Sequence, residues 1–245
     1  NDHLTVRLIE LTREDFDLPP VDWCWLAFGS EGRFEQTLAT DQDNGLIFAG
    51  AGDTQALRDR FLPFARAVNE RLAACGFPLC KGNIMAGNPE LCLSLAEWQD
   101  KFSGWMQANN PQALLNATIF FDFRPLYGAE SLADDLRQSL LAKAATANLF
   151  LRFMAGNALM VEPPVGLIRD FVFDRNPAHP HTIDLKIYGS RLFVDVARIL
   201  ALANGVGETG TAERLRSLAQ QGKLGRDDIG AVLELALVNE QAFAG

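Results

Sequence analysis

One stretch constrains this chain more than any other. From Trp23 the sequence runs Trp-Cys-Trp-Leu-Ala-Phe, then Gly29-Ser30, and after ten more residues Asp41-Gln42-Asp43 leads into Asn-Gly-Leu-Ile-Phe. An apolar, aromatic-rich run of that length predicts a buried strand over 23–28. It delivers a glycine and a serine to whatever follows. Glu31 to Leu38 has no proline and sets Phe34 and Leu38 four apart, which predicts a short helix beginning near Ser30. A helix start offers free N–H groups and the positive end of a dipole to an anion. Gly29 lets a phosphate approach the main chain closely, and Ser30 adds a hydroxyl donor.

Asp41 and Asp43 precede or enter a second short apolar run, Leu46 to Phe48. On an extended chain the period of two puts both carboxylates on one face. Two adjacent carboxylates repel each other unless a cation holds them, and oxygen ligands of this kind suit Mg²⁺, which also binds substrate phosphates. Spacing removes the rival motifs. A calcium loop counted from Asp41 would need Gly at Leu46 and Glu at Gly52. A nucleophile elbow would need Gly at Phe28, and the chain has three His with which to build any triad. The Gly-Lys-Ser/Thr of a phosphate-binding loop and the third Gly of a dinucleotide fingerprint are both missing.

Gly29-Ser30 followed by Asp41-x-Asp43 at a strand resembles the signature of the DNA-polymerase-β-type nucleotidyltransferase superfamily. The fuller string, Gly-Ser-Glu-Gly-Arg-x-Glu-Gln with Thr-Asp-Gln-Asp-Asn-Gly-Leu-Ile, is similar to a branch related to PII-protein uridylyltransferase. Members of that branch often carry cyclic-nucleotide-binding and CBS modules upstream. The likeness extends through Pro78-Leu79-Cys80, Phe120 to Pro125 and Asp184-Leu185-Lys186, so it covers most of the chain. It implies an α+β fold: a small mixed sheet flanked by helices as the catalytic core, then a C-terminal helical domain. The expected boundaries are 1–128, with 1–20 as a lead-in, and 129–245.

The remaining sequence is consistent with that division. Asp53 is placed to cap a helix over 54–75 whose stripe is Leu57, Phe61, Phe64, Ala65, Val68 and Leu72, and Gly76 ends it. Phe77 to Met85 is a candidate extended segment whose Lys81 could face the cleft. Ser94 with Glu97 is a capping box ahead of Trp98, Phe102 and Trp105. Ala117 to Phe123 is apolar enough to predict a strand, and it contains Asp122. Burying that lone acid calls for a partner, either a metal shared with Asp41 and Asp43 or an ion pair with Arg124. The resemblance assigns Asp122 the role of third carboxylate.

Residues 130–159 read as helical, 167–173 with 182–187 as a hairpin, and 191–202, 211–220 and 227–242 as amphipathic helices. On an extended segment Asp184 and Lys186 share a face, where they contact a nucleotide in the cleft between the domains or pair with each other. Arg198 could meet a phosphate or a structural partner.

The function implied is Mg²⁺-dependent transfer of a nucleoside monophosphate from ATP or UTP to a protein or small-molecule hydroxyl, in signal transduction. Two Mg²⁺ ions would be held by Asp41, Asp43 and Asp122, and the nucleotide by Gly29, Ser30, Arg33, Asp184 and Lys186. The acceptor could be a PII-like signalling protein. The alternative is a nucleotide-sensing module without turnover, or a scaffold for a partner protein. With 22 Lys and Arg against 31 Asp and Glu, the net charge of −9 speaks against non-specific nucleic-acid binding. The chain has neither a membrane-length apolar run nor a signal segment, and it lacks an initiating Met. These features suggest a cytoplasmic protein joined to upstream regulatory domains. Cys24, Cys75, Cys80 and Cys92 contain no Cys-x-x-Cys pair and read as reduced thiols.

Overall fold

The computed structural model describes residues 1–36, 40–50, 52–108, 110–160, 182 and 189–225. The fold is mixed α+β, and the chain divides into two compact units, Asn1–Lys143 and Ala144–Gly245.

The first unit begins with helix α1 (Asp2–Arg13) and strand β1 (Trp23–Ala27), followed by a single helical turn, α2 (Gly29–Gly32). Strand β2 (Asn44–Phe48), the long helix α3 (Thr54–Ala74), strand β3 (Cys92–Ser94) and helices α4 (Leu95–Ala108) and α5 (Pro111–Phe120) come next. Strand β4 (Arg124–Gly128) and helix α6 (Glu130–Ala144) complete it. The sheet order is β3-β2-β1-β4. β1 is antiparallel to both neighbours, and β2 is parallel to β3.

All residues of β1 and β2 are buried because helices cover both faces of the sheet, which explains their nearly unbroken apolar runs. On one side Trp23, Trp25, Leu46 and Phe48 pack with Ile9 of α1 and with Phe61, Phe64 and Val68 of α3. On the other, Phe28 meets Trp98 and Phe120, and Phe102 meets Phe121 and Phe123. Trp98 donates its indole N–H to Leu46 O at 3.1 Å, which ties α4 to β2.

The local signals formed as read. Asp53 Oδ1 accepts from Gln55 N and Ala56 N, both at 3.1 Å, and α3 ends before Gly76, whose φ is +98°. Glu97 Oε2 accepts from Ser94 N at 2.8 Å, and Ser94 Oγ accepts from Glu97 N at 3.3 Å, completing the capping box.

Three local expectations are corrected. The helix expected over 31–38 stops after one turn: Gly32 ends it, and Phe34 takes φ +61° and stands exposed. Its other marker, Leu38, lies outside the described residues. Ala117 to Phe123 is not a strand but the end of α5 and a turn, and β4 starts only at Arg124. Asn110 caps α5 by accepting from Ala113 N at 2.8 Å, Pro111 opens it, and the buried residues Ala113, Leu114, Ala117 and Phe120 follow a helical period. An apolar run this short does not distinguish helix from strand by pattern alone. Finally, of the two forms open to 77–85, strand or extended segment, no strand forms; the carbonyls of Pro78 and Ile84 accept from Gln42 N and Asn44 N at 3.1 Å each, and Lys81 is exposed.

In the second unit α7 (Asn148–Leu159) and α9 (Thr211–Gln220) each pack against α8 (Arg191–Asn204), which closes on Gly205 in the left-handed conformation. Arg198 is buried there and donates to Asp195 Oδ1 at 2.5 Å, a structural partner. The hairpin expected from 167–173 with 182–187, Thr182 apart, and the helix over 227–242 fall outside the described residues. No helix among those described is long and apolar enough to cross a membrane.

Candidate active site

The register of the sheet builds the site. Ala27, the last residue of β1, lies opposite Asn44, the first of β2, on one side, and opposite Arg124, the first of β4, on the other. The residues leaving β1 (Phe28 to Ser30) and those arriving at β2 (Asp41 to Asp43) and at β4 (Asp122) therefore meet at one end of the sheet. Phe28 N donates to Asp43 O at 2.9 Å. Gly29 has φ +57°, and a Cβ built on it would lie 3.5 Å from Asp43 Oδ2, so the Asp43 carboxylate stands beside the Gly-Ser turn.

Asp41 and Asp43 precede β2 rather than lying within it, but the alternation holds. Gln42 and Asn44 are buried, whereas Asp41 is exposed and Asp43 half-buried. Under the segment lies a set of amides that the sequence reading missed: Asn69 of α3 donates to Gln42 Oε1 at 2.8 Å and to Asn44 Oδ1 at 3.0 Å. The available signal was Asn69 itself, a polar residue inside the apolar stripe of α3.

Asp122 is fully buried, and its Oδ2 accepts from Arg33 Nη1 at 2.8 Å. Arg33, expected at a phosphate, is thus held between Asp122 and Glu35, whose Oε2 accepts from Arg33 Nε at 2.6 Å. Arg124 is committed elsewhere. It donates to Glu31 O at 2.9 Å and to Asp2 Oδ1 at 2.8 Å, and its guanidinium lies 4.0 Å above the Phe34 ring. Asp184 and Lys186 lie outside the described residues.

Among the described residues no group of three His, Cys, Asp or Glu could hold a metal ion. The donor set that fits Mg²⁺ is the pair Asp41 and Asp43, because this ion commonly takes one or two carboxylates and completes its shell with water and phosphate oxygens. In this arrangement the Asp122 carboxylate serves Arg33.

Residues 1–112 match the family model described as "Putative nucleotidyltransferase DUF294". Residues 148–236 match a second, described as "Putative nucleotidyltransferase substrate binding domain". Together the two span most of the chain. Both matched domains are similar to families described as putative nucleotidyltransferases, which supports nucleotidyl transfer as the general activity. No curated protein matches it.

One further acid stands at this end of the sheet. Glu31 shares the lining of a small cavity with Asp41, Trp25 and Thr5, and burial pushes its carboxyl up to about 7. Arg124 opposes that rise, while Asp2 and Asp43 reinforce it. A carboxyl raised from 4.5 keeps its proton in the folded state while the unfolded chain loses it. Stability therefore falls as pH rises from 4.5 to about 7 and is level above that, a loss of about 3 kcal/mol from this group. Glu31→Gln should be more stable than the wild type at pH 8 by up to that amount, with the gap closing near pH 4. Urea denaturation at both pH values checks this, and a gap independent of pH would refute the assignment.

Proposed function

We propose that this protein moves a nucleoside monophosphate from an NTP to a hydroxyl group, using the end of the sheet where Gly29-Ser30 and Asp41-x-Asp43 meet. The observation that carries the reading is the register of β1 at Ala27, which brings two segments separated in sequence to the same end of the sheet. Gly29, with φ +57°, places no side chain between the main chain and an approaching anion, and the Ser30 hydroxyl can donate to a phosphate oxygen. Asp41 and Asp43 would hold Mg²⁺, which when bound neutralises the triphosphate and polarises the α-phosphorus. The acceptor hydroxyl gives up its proton to solvent, its oxygen bonds to that phosphorus as the bond from phosphorus to the bridging α–β oxygen breaks, and pyrophosphate leaves. Asp122 can take the role of third ligand, to a second Mg²⁺, only when Arg33 releases it. Arg33, still paired through Nε with Glu35, would then turn its Nη1 donor to a phosphate.

ATP or UTP is the proposed donor, and a protein hydroxyl such as one on a PII-like signalling protein the proposed acceptor. A second reading, a sensor that binds nucleotide without transfer, is favoured by the ion pair that occupies Asp122. Isothermal titration with each of the common NTPs, with and without Mg²⁺, tests the shared premise. Binding of at least one NTP should require Mg²⁺. If none binds in a Mg²⁺-dependent way, both readings fall. Pyrophosphate release with candidate acceptors then separates enzyme from sensor.

A further inference from the structure

We infer that Asn69 is a positioning residue for the Asp41–Asp43 segment: it holds the main chain of the two carboxylates in place through buried amide contacts without touching nucleotide or metal. The inference rests on the reading of Asp41 and Asp43 as the metal-binding pair. It arises from the chemistry of three buried side chains, Gln42, Asn44 and Asn69, each 3% exposed.

Asn69 uses all of its hydrogen-bonding groups. Its Nδ2 donates to Gln42 Oε1 and Asn44 Oδ1, and its Oδ1 accepts from Gly87 N at 2.9 Å. Its main-chain oxygen accepts from Gln42 Nε2 at 2.9 Å, and the same nitrogen also donates to Phe77 O at 2.9 Å. Asn44 Oδ1 takes a second bond from Ala86 N at 2.8 Å. Three parts of the chain far apart in sequence are thus joined: α3, the irregular stretch 77–87, and the residues that alternate with the two acids.

Only a carboxamide supplies two donors and an acceptor in one short planar group. Aspartate at 69 would lose both donors, and leucine would remove the bonds to Gln42 Oε1 and Gly87 N and leave Asn44 Oδ1 with Ala86 N alone. A polar side chain inside the apolar stripe of α3 does nothing for the packing of that helix, since burying an amide is unfavourable unless every bond is made. What the network does hold is Gln42 on one side of Asp43 and Asn44 on the other. Their main-chain N–H groups are in turn anchored to Pro78 O and Ile84 O. Freedom lost at 42 and 44 is freedom lost at 41 and 43, and a pre-ordered pair of ligands binds a cation without first having to be ordered.

The test compares the wild type with Asn69→Ala and with Val68→Ala, a neighbouring buried residue of α3 that makes no contact of this kind. Both variants should melt earlier. Only Asn69→Ala should lower the hydrogen-exchange protection of the Gln42 and Asn44 amides, by at least about tenfold relative to the amides of β1, and raise the Mg²⁺ needed for half-maximal nucleotide binding by about ten- to a hundred-fold. Gln42→Met removes one arm of the network at nearly constant volume and should give the same local signature, which covers the case in which Asn69→Ala does not fold. The inference is overturned if Asn69→Ala and Val68→Ala match in local exchange. It is equally overturned if exchange at 42 and 44 rises while the Mg²⁺ requirement stays at the wild-type value. Loss of protection in Asn69→Ala, in a protein whose wild type binds no nucleotide with Mg²⁺, would support the clamp and refute the metal-pair reading instead, so the two ideas fail separately.

Discussion

Asp41→Asn combined with Asp43→Asn should abolish Mg²⁺-dependent nucleotide binding and leave the fold intact. Asparagine keeps the shape of each side chain and removes the two charges that would hold the cation. The dissociation constant for Mg·NTP should become weaker than about 1 mM, where binding is worth only ~4 kcal/mol. The fold has little reason to suffer. The contact from Phe28 is to the main-chain oxygen of Asp43, and the buried amides are those of Gln42 and Asn44, none of which is altered. Two negative charges also leave a corner that already contains Glu31 and Asp2. Titration calorimetry with a parallel thermal melt decides the matter. Mg²⁺-dependent binding equal to the wild type would remove the site from this end of the sheet.

The second large effect should come from Gly32→Ala, through sterics rather than charge. A Cβ at Gly32 would lie 2.1 Å from Asp122 O, 2.9 Å from Asp122 C and 3.0 Å from Ala27 O. All three are main-chain atoms, so no rotamer change relieves the clash, and either α2 or the turn before β4 must move. Destabilisation of about 3 kcal/mol or more follows, which for a chain of this size lowers the melting temperature by roughly 10 °C. The same displacement distorts α2 and with it the Gly29-Ser30 turn, so whatever nucleotide affinity the wild type has should fall as well. Gly104→Ala, inside α4 where a Cβ meets nothing within 4 Å, is the control and should be neutral or stabilising. Equal melting temperatures for the wild type and Gly32→Ala would mean that α2 and the Asp122 turn do not pack this closely.

Where the sequence reading went astray, it did so for identifiable reasons. Leu114 to Phe121 contains enough apolar residues to satisfy either period, and the signal that marks α5 as a helix, the start at Asn110-Pro111, lies before the segment that reads as a strand. The four-residue spacing of Phe34 and Leu38 fits one face of a helix, but spacing alone does not make the helix continue. The exposed, left-handed conformation of Phe34 coexists with a guanidinium stacked on its ring, and that guanidinium belongs to Arg124, far away in the sequence.

The sequence by itself determined the features that depend on residues within about one helical turn of each other. These include the Asp53 cap, the Ser94–Glu97 box, the stripe of α3, the Gly29-Ser30 turn at the end of a buried strand, and the alternation that separates Asp41 and Asp43 from Gln42 and Asn44. Such features are legible because local sterics and hydrogen bonding decide them before any distant segment arrives. Only the tertiary structure decided which groups the acids answer to: Arg33 for Asp122, burial beside Arg124 for Glu31, and Asn69 beneath the Asp41–Asp43 segment. Those pairings join residues up to 93 positions apart, and no spacing rule reaches that far. They are set when β2 and β4 close on either side of β1, because the register at Ala27 fixes which residues stand at the end of the sheet.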